Sequence, residues 1–73
     1  MSLLSAIDGA ELVLVESELG LVFAWFGGQG VNVYREDGVE VDYFTMGGAR
    51  KPTRAVVAAA IRRHIAALHE EES

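Results

Sequence analysis

The chain has no cysteine, one proline and one lysine. Without cysteine there are no disulfides, no thiolate zinc sites and no thiol nucleophile. Long apolar runs are missing too, and nothing approaches the ~20 residues that a membrane-spanning helix needs. The opening "MSLLSAIDGA" lacks the basic segment of a secretory leader. A soluble, cytoplasmic protein is the expectation. The 73 residues are read as a single small domain spanning 1–73. A chain this short buries only roughly 60% of the surface it exposes when unfolded, so self-association is the expected source of further burial.

Basic residues are nearly absent from the first two thirds. Residues 1–49 carry eight acids and only Arg35, residues 50–63 carry five bases and no acid, and Glu70, Glu71 and Glu72 follow. Such banding is expected to neutralise itself, with a basic helix lying near an acidic sheet. The net charge of −5 is an unpromising start for a nucleic-acid binder, which must offset phosphate charge. Arginine outnumbers lysine five to one among many Ala, Val and Gly residues. That composition resembles the product of a GC-rich genome, such as an actinobacterium or one of its phages.

What is present is period-two alternation. "ELVLVES", "LVFAWF", "VNVYR" and "VEVDYFTM" read as four strands. A C-terminal helix from Thr53 to about Glu70 carries Val57, Ile61, Ile65 and Leu68 on one stripe. Ser2–Ile7 reads as one or two helical turns, capped by Ser2 and ended by Gly9. The predicted fold is α+β, a four-stranded antiparallel β-meander packed on one C-terminal α-helix, with a short N-terminal helix.

Three-residue loops, Glu36-Asp37-Gly38 and Glu18-Leu19-Gly20, sort apolar from polar side chains best. In that register the helix-covered face holds Val13, Val15, Leu21, Phe23, Trp25, Val31, Val33, Val39, Val41 and Tyr43. The opposite face then collects Leu12, Leu14, Val22, Ala24, Phe26, Phe44 and Met46 beside Glu40, Asp42 and Asn32. Leu12, Leu14, Val22, Phe26, Phe44 and Met46 are therefore the expected partner interface, because contiguous apolar patches mark contacts.

One segment invites a sharper reading. "FTMGGARKPTRAVV" runs from a strand through Gly47-Gly48 and three bases into a helix N-terminus, an arrangement that many phosphate sites use. Arg50, Lys51 and Arg54, with Arg62 and Arg63 further along, are candidate anion contacts. Against this, Pro52 removes one N–H and no phosphate motif is matched. The segment is read as a structural turn with a Thr53 cap, its bases offset by acids of the sheet, the tail or a second subunit. "FGGQGVNV" leads into a strand where a nucleotide loop needs a helix, so it is a hairpin connection.

His64 and His69 lie five apart, the wrong spacing for two ligands on one helix face. A locally hydrogen-bonded His64 is expected instead, and no metal or cofactor. No base converges on Ser5, Ser17, Thr45 or Thr53, so no catalytic residues are assigned. The functional expectation is a non-enzymatic accessory protein that acts through protein–protein contacts. It is expected to be homodimeric, and phage-encoded and directed at a host factor. The alternative is a nucleic-acid-binding regulator using the basic start of the C-terminal helix.

Overall fold

The computed structural model describes residues 2–48 and 50–72, with only the backbone of Glu72. The chain runs α1 (Leu3–Ala6), β1 (Leu12–Glu16), β2 (Leu21–Trp25), β3 (Gly30–Arg35), β4 (Glu40–Thr45) and α2 (Arg54–Glu72). The strands form one antiparallel sheet in the order β1-β2-β3-β4. The expected α+β meander is the observed fold.

Local chemistry sets most boundaries. Ser2 caps α1 by accepting the Ser5 N–H at 3.3 Å, and Thr53 caps α2 by accepting the Val56 N–H at 3.3 Å. α2 continues as helix through Glu72, two residues past the expected end near Glu70.

The β3–β4 connection is the expected three-residue loop. Arg35 and Val39 close it through an Arg35 N–H to Val39 carbonyl bond of 2.9 Å. Gly38 sits at φ 92°, a region that side-chain-bearing residues rarely adopt. Asp37 Oδ1 accepts the Val39 N–H at 3.0 Å. That bond, helped by Arg35, holds the Asp37 carboxyl below its ordinary range against slight desolvation. A depressed carboxyl stabilises the fold above its unfolded pKa, and the contribution fades as pH falls through the folded value.

The faces are where structure and sequence part. Tyr34 pairs with Glu40 as expected, but the next pair is Val33 with Asp42. Val41 is left unopposed as a β-bulge, and the register past it shifts by one residue. Val31 then faces Phe44 and Asn32 faces Tyr43. The β1–β2 connection has four residues, 17–20, and not three: Glu16 pairs with Leu21 and Leu14 with Phe23. Glu16 Oε1 accepts the Glu18 N–H at 3.0 Å and pins that wider turn.

Both corrections exchange the faces of an edge strand. Phe23, Trp25, Val31 and Val33 do lie under α2 with Val57 and Ile61, forming the buried cluster. Leu12, Leu14, Phe44 and Met46 pack against this cluster, together with Leu21, Ile65 and Leu68. The expected partner interface therefore does not form one surface. Those four residues lie on the helix side, Val22 is only 1% exposed from the other face, and Phe26 is half-exposed in the β2–β3 loop. Val15, Val39, Val41 and Tyr43, expected in the core, are exposed.

The bulge makes a direct prediction. Phe44→Ala should lower unfolding stability by about 2 kcal/mol, less than a fully buried phenylalanine costs. Tyr43→Ala should cost under about 1 kcal/mol, as expected for a half-exposed side chain. Urea unfolding of both variants checks this, and the reverse order would contradict the observed register.

Candidate binding surfaces

The start of α2 is anchored to the sheet by the bases that the sequence singled out. Arg54 Nη1 donates to the Glu11 carbonyl at 2.7 Å, and Lys51 Nζ lies 3.9 Å from Glu11 Oε2. The carbonyl of Arg50 accepts from Gln29 Nε2 at 3.0 Å. Glu11 immediately precedes β1, so a sheet acid faces the basic turn, in the manner expected from the charge banding. Arg62 and Arg63 lie further along α2 and are exposed. At 100° per residue they project away from the Val57–Ile61 stripe, whereas Arg54 points back toward the sheet. The five candidate anion contacts thus divide into two groups and do not share one surface.

Under the middle of α2, His64 stacks on Phe44 with ring centroids 4.3 Å apart and meets Phe23 edge-on at 6.0 Å. Its Nε2 is buried and lies 3.6 Å from Asp42 Oδ2, too far for a hydrogen bond. The expected local hydrogen bond is replaced by ring packing and an acid at close range. The bulge places both partners, since it turns Asp42 and Phe44 toward α2.

The face of the sheet opposite α2 is only partly covered. α1 lies on this side: Ser5 and Ala6 share a groove of about 540 Å³ with Tyr34, Gly38, Val39 and Glu40. Val22, Ala24 and Tyr34 are buried here. Burial raises the Tyr34 phenol above its ordinary range, and the neighbouring Glu40 charge adds to the effect. Tyr43 lays its ring against Gly30, in space that any larger residue's Cβ would need. Even so, Tyr43 remains 52% exposed, Val15 65% and Leu4 of α1 79%. The exposed apolar side chains of this face thus stand at its two edges and on α1, where the sequence had pointed to Leu12, Leu14, Phe44 and Met46.

At the far end of α2, His69 Nε2 comes within 3.4 Å of Glu16 Oε2. Glu18, in the β1–β2 turn, completes a group of three ligand-type side chains. Sequence spacing compared His69 only with His64, so this tertiary grouping gave no local signal.

No family model, curated protein or solved structure matches the chain. No helix among the described residues is long and apolar enough to cross a membrane.

The position of Glu11 generates a test of the basic turn. Duplex and single-stranded oligonucleotides, titrated by fluorescence anisotropy at about 50 and about 200 mM salt, should show no saturable binding, since phosphate contacts would give a steep salt dependence. Arg50→Ala, Lys51→Ala and Arg54→Ala combined should leave the far-ultraviolet circular dichroism spectrum unchanged. Salt-sensitive micromolar binding that vanishes in the triple variant would show that this turn contacts nucleic acid.

Proposed function

We propose that the protein is a non-enzymatic binding module that works through protein–protein contact, with a second copy of itself as occupant of the open sheet face. The observation that carries the reading is the set of exposed apolar side chains on this side of the sheet, Val15 and Tyr43 on its two edge strands and Leu4 on α1. Large exposed apolar patches on small proteins mark contact sites.

Size supports self-association. The chain has a total accessible surface of 4641 Å², and a standard interface covers roughly 800 Å² on each partner. Pairing through this face would add burial that one short chain cannot supply alone. A heterologous protein, such as a host factor met by a phage protein, is the other occupant that the same surface fits. Nucleic-acid regulation ranks lower, because Glu11 faces Lys51 and its carbonyl holds Arg54.

Light scattering at micromolar concentration should give about twice the 7.9 kDa chain mass. Val15→Asp with Leu4→Asp should return the single-chain mass with the fold retained, since both side chains are exposed in one chain. A monodisperse wild-type monomer with high thermal stability would refute the homodimer.

A further inference from the structure

We infer that Glu16, Glu18 and His69 form a binding site for a divalent transition ion, zinc above all, which clamps the C-terminal end of α2 to the first hairpin. The three side chains come from the end of β1, the β1–β2 turn and the last turns of α2. One ligand atom from each lies within 4.8 Å of the other two.

His69 and Glu16 are spaced as two zinc ligands are. His69 Nε2 and Glu16 Oε2 are 3.4 Å apart. That is a loose contact between an imidazole nitrogen and a carboxylate oxygen. It does match the edge of a zinc tetrahedron, where ligand atoms ~2.0–2.2 Å from the ion stand about 3.3–3.6 Å apart. Glu16 is also pre-set. Its Oε1 accepts the Glu18 N–H at 3.0 Å, leaving Oε2 directed at His69. Outer hydrogen bonds of this kind orient carboxylate ligands in metal sites.

Ligand chemistry selects the ion. One imidazole nitrogen with two carboxylates suits zinc, and magnesium or calcium prefer all-oxygen sets. Glu18 is exposed, so the ion reaches the group from solvent. The fourth position is left to water. A tie here joins the first hairpin to the C-terminal helix, and a domain of this size without disulfides gains most from such a staple. The inference does not depend on dimerisation, because all three ligands belong to one chain.

The test uses the full chain without any histidine tag. Calorimetric titration with zinc chloride should show saturable binding of one ion per chain. Ligand linkage should raise the thermal midpoint by on the order of 10 °C at a hundredfold excess over the dissociation constant. His69→Gln and Glu18→Gln should each weaken zinc binding by at least about tenfold, since even outer-shell changes cost that much, while the circular dichroism spectrum stays that of wild type. Magnesium chloride should leave the midpoint unmoved. Absence of saturable zinc binding, affinity unchanged in both variants, or equal stabilisation by magnesium would each overturn the site.

Discussion

One extra residue in an edge strand decides how this small core is built. Val41 has no partner across β3, and every residue after it in β4 changes face. Beyond the bulge, Phe44 and Met46 are directed beneath α2 and Tyr43 away from it. Without that shift, α2 would rest on Tyr43 and Val41, and two large apolar residues would face outward. His64 depends on it as well, since its stacking partner and its acidic neighbour are both bulge-positioned. A bulge also bends and twists an edge strand, which with Glu40 and Asp42 discourages uncontrolled edge-to-edge pairing.

Sequence alone disclosed whatever local chemistry controls. Element order, the Thr53 cap, the left-handed Gly38 and the Val57–Leu68 stripe all follow from a few neighbouring residues. The facing of β1 and β4 does not. "LVLV" is apolar in both phases, so Val13 and Val15 fit the core as well as Leu12 and Leu14. The deciding fact was whether the first hairpin loop has three residues or four. In β4 the polar-apolar alternation was clear but misleading, because a bulge inserts one residue without any glycine to signal it. The apolar surface was therefore anticipated in kind and misassigned in its residues.

The charge banding was legible in outline, and structure supplies its partners. Lys51 lies near Glu11, His64 near Asp42 and His69 near Glu16. Lys51 before α2 and two positions along it thus meet three acids of the sheet region. The exposed Lys51–Glu11 pair contributes at most about 1 kcal/mol. The value of the three contacts lies in fixing which way α2 crosses the sheet. Bases at the helix start and acids at its end oppose the macrodipole, and Glu11 moderates that conflict at the helix start. None of these acids could be named from sequence, because each lies more than twenty residues from its partner.

The account stands or falls on the register past the bulge, and cross-strand nuclear Overhauser effects read that register directly. Spectra of the folded protein should connect Val33 with Asp42, Asn32 with Tyr43 and Val31 with Phe44. Effects linking Val33 with Val41 and Val31 with Tyr43 would show an unbulged ladder and contradict the arrangement of the core.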